Sequence, residues 1–424
     1  MESERITDIR LENGIRVIGC QLKESNSVAS AICLRSGSRC DPQDQPGIMH
    51  FFEHLMFLTS KPEIQAMSRT IEMFGGELNA QTSKEFCMLW ARANPNFAKD
   101  AFDIISLMFQ SPMPGERHFE REKGIIKQEI RDQKDDIEES LGYRLDAAVF
   151  GQKNPLGIPI LGTHESVSGM SRTDIKKFAK KIVTPQNIMV LFAGDFDTDE
   201  MLGLAKKNFG SMAGEPFLRR NARPQLSSCI DDAKDSSLYS AHMEIGIPYN
   251  AITQYERHVA LLALDTILSE GFASRFFRNV REQIGNVYQI STLVNNFHRL
   301  GLFEIRTSCK PRLASTIARA ILAEIRHIRD NGVTEDEMVR ARNKLAADVA
   351  NLSMNSFKMI DSQVDIATYY KNPKGIIKDL EIISQLNVED VNSIAKDVFA
   401  SSNPVSLVYS SPNTMGIREK DLVL

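Results

Sequence analysis

Apolar residues first recur at every second position. Thr7-Asp8-Ile9-Arg10-Leu11 and Ile15-Arg16-Val17-Ile18-Gly19-Cys20 alternate on either side of Asn13-Gly14, which predicts a β-hairpin. Ser27 to Leu34 predicts a third strand. Gly47 to Leu58, dense in Phe, His, Leu and Met, then predicts a helix. Thr70 to Phe74 reads as a helix end stopped by Gly75-Gly76. Leu78 to Thr82 and Phe86 to Ala91 predict paired strands, and Ala98 to Met108 a helix. The charged stretch Glu116 to Ala148 predicts one long helix. Ile188 to Asp195 predicts a buried strand ending in a turn, followed by a helix over Thr198 to Phe209 with Thr198 as its N-cap.

Gly214 to Asp235 is polar, with Pro216, Pro224, Ser227 and Ser228, and reads as a linker. Beyond it the pattern returns. A strand over Ser240 to Ile247 and a helix over Thr253 to Leu268 precede strands at Val287 to Val294 and Leu302 to Ser308. Helices over Leu313 to Asp330 and Thr334 to Leu352 follow, and Pro404 to Tyr409 closes as a strand. Two α+β halves of similar size suggest duplication: a domain over 1–215, a linker over 216–235 and a second domain over 236–424. No short-period repeat or low-complexity tract interrupts them.

With 424 residues the chain exceeds one ordinary core, in keeping with two domains. Its 42% hydrophobic and 25% charged residues are those of a globular protein. A net charge of −4 argues against a nucleic-acid partner. Cys20, Cys33, Cys40, Cys87, Cys229 and Cys309 are scattered, which fits free thiols in a reducing compartment. Met1-Glu2-Ser3-Glu4-Arg5 has no secretory pattern, and no apolar run approaches the roughly 20 residues that span a bilayer. No membrane association is expected, and a cytoplasmic enzyme is the simplest reading.

Chemistry concentrates at His50-Phe51-Phe52-Glu53-His54. On a helix, positions i and i+4 share a face, so His50 and His54 can address one atom with Glu53 beside them. Two imidazoles next to a carboxylate suit a catalytic zinc that keeps one position open for water, and H-x-x-E-H is the inverted-zincin order. A hydrolytic zinc takes a third protein ligand. The predicted long helix offers Glu122 and Glu129, seven residues apart on one face. Asp132, Asp135, Asp136, Glu138 and Glu139 read instead as a solvated charge run. His118 and His164 read as surface residues, and His242, His258, His298 and His327 have no ligand spacing.

Gly47 to Phe57 resembles the signature of the pitrilysin family, especially the branch with mitochondrial processing peptidase and its small bacterial relatives. Glu122 to Ile130 matches the family's later segment, about 75 residues beyond the second His. The resemblance implies His50, His54 and Glu129 as ligands of one Zn2+ per chain, with Glu53 catalytic and Glu122 supporting the site. Gly75 to Thr82 is similar to the family's glycine-glycine turn and active-site edge strand, and Pro155 to Gly162 to the segment after the long helix. In the second half, Ser274-Arg275 and Arg281 to Tyr288 match a stretch whose Arg and Tyr contact bound peptide, which implies catalytic and substrate-binding roles for Arg281 and Tyr288. Met49, Phe52 and Asn286 depart from the usual residues, and Leu268 to Ala273 is not the glycine-rich loop of the processing peptidase alpha subunit.

The fold implied is two tandem homologous domains, each a mainly antiparallel sheet flanked by helices. The implied function is a zinc-dependent endopeptidase that hydrolyses unfolded peptides in a chamber formed by two subunits. Asn79 and Ala80 on the edge strand would bind the substrate backbone. A homodimer is expected, with a heterodimer of related subunits also open. The alternatives are a non-catalytic scaffold subunit of the same fold and a peptidase dedicated to one leader or targeting peptide.

Overall fold

The computed structural model describes residues 4–23, 25–58, 62–110, 113–217, 224–370, 375–412, 416–418 and 421–424. In chain order the strands are β1 (Glu4–Arg10), β2 (Arg16–Leu22), β3 (Val28–Leu34), β4 (Glu77–Thr82), β5 (Cys87–Ala93) and β6 (Ile188–Gly194). They continue as β7 (Cys229–Lys234), β8 (Ala241–Asn250), β9 (Val287–Phe297), β10 (Leu300–Cys309) and β11 (Ser406–Ser411). The helices of the first half are α1 (Ile48–Met56), α2 (Pro62–Met73), α3 (Ala98–Gln110), α4 (Glu116–Asp135), α5 (Ile137–Phe150), α6 (His164–Gly169), α7 (Arg172–Ile182) and α8 (Thr198–Phe209). Those of the second half are α9 (Tyr255–Ser269), α10 (Ala314–Asn331), α11 (Glu335–Leu352), α12 (Ser356–Tyr369), α13 (Ile376–Gln385) and α14 (Val388–Val398).

The chain forms two compact units, each with its own sheet. The first comprises Met1–Arg131, Pro159–Asn221 and Val349–Asp379. Its sheet has the order β1-β2-β6-β3-β5-β4, antiparallel except for the β2–β6 pair. Every residue of β3 and β6 is buried, which suits central strands written almost wholly in apolar residues. α1 and α3 supply Phe51, Phe52, Phe102 and Phe109 to the same core.

The second unit comprises Asp132–Ile158, Ala222–Asp348 and Leu380–Leu424. Its sheet has the order β7-β11-β8-β10-β9, antiparallel except for β7–β11. The α+β class and the mainly antiparallel sheets agree with the sequence reading.

The units are not contiguous in sequence: residues 132–158 lie in the second and 349–379 in the first. α5 packs Leu141, Leu145 and Val149 in the core of the second unit. Gly246 on β8 makes room for it, since a Cβ there would stand 3.0 Å from Leu145 Cδ1 and 3.1 Å from Val149 Cγ2. α12 packs in the first unit, where Phe357 stacks on Trp90 of β5 with ring centroids 3.9 Å apart.

Other boundaries move for local reasons. The expected single helix over Glu116 to Ala148 breaks at Asp136, whose carboxylate caps α5 by accepting the Glu138 and Glu139 N–H groups. Asp197, not Thr198, caps α8, accepting the Glu200 N–H. The expected linker contains β7, which is held parallel to β11; its residues 218–223, like Met1 to Ser3 of the first residues read above, lie outside the described residues.

Candidate metal centre and active site

α1 carries His50, Glu53 and His54. Its start is fixed from both sides. Gly47 has φ 90°, and a Cβ there would stand 2.5 Å from the Leu161 carbonyl oxygen, so only glycine fits. Gly47 offers no side-chain cap. Asp41 substitutes from the preceding loop, accepting the Gly47 N–H at 2.7 Å and the Met49 N–H at 3.2 Å.

One turn apart on α1, the His50 and His54 rings meet edge to face at 4.6 Å between centroids. α4 brings Glu129 to them. Its Oε2 lies 3.4 Å from His54 Nε2 and 3.9 Å from His50 Nε2. Glu122, one face-repeat earlier on α4 and buried, places Oε2 3.3 Å from His54 Nδ1. That contact leaves His54 Nε2 turned towards Glu129. One ligand atom from each of His50, His54 and Glu129 lies within 4.8 Å of the others, and this is the one such cluster among the described residues.

These residues fit a metal ion. His50 Nε2 and His54 Nε2 both face the buried Glu129 Oε2, at 3.9 and 3.4 Å, without a hydrogen bond of good geometry to it, an arrangement of donors that suits a cation between them. Two imidazoles and a carboxylate are also the donor set of a hydrolytic zinc site. The electrostatics suit His50 and Glu129 as ligands, while at His54 a metal competes with a proton. Burial, aided by His54, lowers His50 to about 3 and keeps it neutral. Burial opposes charge on His54 too, but Glu129 and then Glu122 outweigh it and raise His54. Burial would raise Glu129, yet the neighbouring imidazoles hold it below the usual range.

Glu53 sits on the same helix at 9% exposure. Burial raises its carboxyl above the ordinary value, partly countered by the Thr82 hydroxyl, which donates to Oε2 at 2.5 Å. Thr82 ends β4, the edge strand of the sheet. Leu78 and Ala80 of β4 pack on the core, so alternation puts Thr82 on that same face. Asn79 is exposed, and its Oδ1 accepts the Ala80 N–H at 2.8 Å.

Arg281 and Tyr288 belong to the second unit. Arg281 is exposed, with its guanidinium 5.1 Å from the centroid of the Phe277 ring. Tyr288 is 50% exposed on β9, an edge strand. His118 and His164 are exposed, as expected. None of the six cysteines forms a disulfide.

Asp41 and Thr82 escaped the sequence reading. Thr82 had a legible signal, because a hydroxyl in phase with Leu78 and Ala80 faces apolar surroundings and needs a partner there. Asp41 had none, since its distance from Gly47 is set by loop path.

The model of insulinase (peptidase family M16) matches residues 16–164, and that of the peptidase M16 inactive domain matches residues 169–345. The chain belongs to the M16 peptidase family. Curated relatives include an uncharacterized zinc protease of Mycobacterium leprae, 28% identical over 96% of this chain and 92% of that one. Among solved structures, a protease from Helicobacter pylori matches with a TM-score of 0.85 at 20% identity, covering 97% of this chain and 100% of that one. A chain of complex III2 from Candida albicans matches as well, with a TM-score of 0.85 at 16% identity over 99% of this chain and 100% of that one. The M16 fold is thus shared by proteins of different roles, and only site residues distinguish them. No helix among the described residues is long and apolar enough to cross a membrane.

Proposed function

We propose that this M16 protein is a zinc-dependent endopeptidase acting on unfolded peptides. The observation that carries the reading is the convergence of His50, His54 and Glu129 with Glu53 beside them on α1. A scaffold subunit has no need of two imidazoles turned on one buried carboxylate oxygen. A zinc held by His50, His54 and Glu129 would supply Lewis acidity and make water acidic enough to lose a proton near neutral pH.

The chain's own groups do the rest. Glu53 takes the proton of the attacking water on its carboxylate and returns it to the departing amine nitrogen as the C–N bond breaks. Its raised proton affinity suits a group that must both accept and release. Glu122 holds the His54 ring through Nδ1. β4 offers its free edge to an extended peptide, with main-chain hydrogen bonds that tolerate many sequences and Asn79 and Ala80 at the contact. Arg281 and Tyr288 are proposed to bind the peptide and to donate to the developing oxyanion. The working form is proposed to be a dimer enclosing a chamber, a homodimer first because both sets of residues occur in one chain.

Hydrolysis of an unstructured quenched peptide by the purified protein tests this. As isolated, stripped by chelator and reloaded with zinc, the protein should cleave, stop and recover. A protein that binds no metal and cleaves nothing would favour the scaffold role.

A further inference from the structure

We infer that Thr82 is a positioning residue that fixes the Glu53 carboxylate; this rests on the peptidase reading for its functional consequence. A glutamate side chain has three rotatable bonds, and Glu53 lies on a helix with no ion-pair partner of its own among the described residues. One contact removes that freedom. The Thr82 hydroxyl donates to Glu53 Oε2 at 2.5 Å, the short range of a charge-assisted hydrogen bond. Oε1 has no hydrogen bond among the described residues, so one oxygen is tethered and the other left to take a proton.

The hydroxyl is itself oriented. Thr82 Oγ1 lies 3.5 Å from the Sγ of Cys87, its partner across the β4–β5 ladder. A hydroxyl has one proton, and the carboxylate takes it. The thiol must then be the donor in the second contact, and it remains protonated because burial, then the Glu53 charge, raises its proton affinity well above normal. The order is therefore Cys87 S–H to Thr82 O–H to Glu53 Oε2. Thr82 is also the last residue of the strand whose free edge is proposed to receive the peptide. The same strand would set the scissile bond and hold the base that serves it, so their relative placement depends on few intervening atoms.

Thr82→Val keeps the shape and removes the proton donor; Thr82→Ser restores the donor. Each variant is loaded with zinc, its metal content and melting temperature are measured, and peptide hydrolysis and a crystal structure are obtained. Thr82→Val should hold one zinc and melt near wild type, with kcat down about 30-fold at a KM within twofold, while Thr82→Ser recovers to within about threefold. In the crystals the Glu53 carboxylate should leave its position in the Val variant and return to it in the Ser variant. An unmoved carboxylate in Thr82→Val, or a Ser variant as impaired as Val, overturns the inference. If wild type itself cleaves nothing, the peptidase reading falls, while the carboxylate position still decides whether Thr82 holds Glu53.

Discussion

Replacing Glu122 with Gln weakens metal binding without removing a ligand. Glu122 is 9% exposed at its side chain and lies 3.3 Å from His54 Nδ1. A hydrogen bond to a charged group contributes about 1.5–3 kcal/mol and a neutral one about 0.5–1.5 kcal/mol. The Gln oxygen can still accept from Nδ1–H, so the variant loses the difference, about 1–2 kcal/mol, or roughly 5–30-fold in Kd. That agrees with the 10–100-fold typical of groups that orient metal-binding histidines. A second effect opposes it. Glu122 helps raise His54, and a proton on His54 competes with the metal, so its loss eases that competition. The competition fades well above the ordinary imidazole range, so pH 8.5 shows the loss undiluted. Chelator competition should give a Kd about tenfold weaker for Glu122→Gln and weaker still for Glu122→Ala. Wild-type affinity in both variants would refute the orienting role. Complete loss of metal from the Gln variant would instead make Glu122 a ligand.

Three further outcomes are expected. Glu244 is buried on β8 beside Glu304, with Arg306 between two carboxylates; burial raises Glu244 to about 8 against the pull of Arg306, and burial, then Asp146, raises Glu304 to about 7 against the same cation. Between the ordinary value near 4.5 and those values the folded chain holds protons on these two groups that the unfolded chain lacks, so their contribution to stability is fully present below pH 4.5 and is lost as pH rises to 8. Melting curves from pH 5 to 9 should show this decline in wild type and a shallower one in Glu244→Gln; parallel curves would contradict it. Asp41→Ala strands the Gly47 and Met49 N–H groups, at a cost of about 2 kcal/mol, which should lower Tm by about 4–8 °C. Gly47→Ala meets both the left-handed backbone and the Leu161 carbonyl, so zinc titration should find the metal site weakened or lost.

Local chemistry was legible in the chain and long-range partnership was not. His50, Glu53 and His54 could be placed on one helix face from spacing alone, and Leu78 to Thr82 could be read as a strand, while its place at the sheet edge rested on resemblance. The choice of Glu129 over Glu122 rested on resemblance, because both lie on one face of α4 and only the packing of α4 against α1 separates their roles. The break at Asp136 was hidden by helix-favouring residues on both sides; a capping carboxylate inside a charge run has no distinct pattern. α5 and α12 carry no pattern in their sequences that encodes which sheet they cover. β7 is short and polar, and it exists because β11 pairs with it.

The central claim concerns a metal centre at His50, His54 and Glu129 served by Glu53 as base. Glu53→Gln, loaded with zinc and assayed for metal and peptide hydrolysis in the same sample, tests it most directly. One zinc per chain with kcat reduced at least 100-fold is expected. A zinc-loaded Glu53→Gln protein that cleaves at the wild-type rate would contradict it.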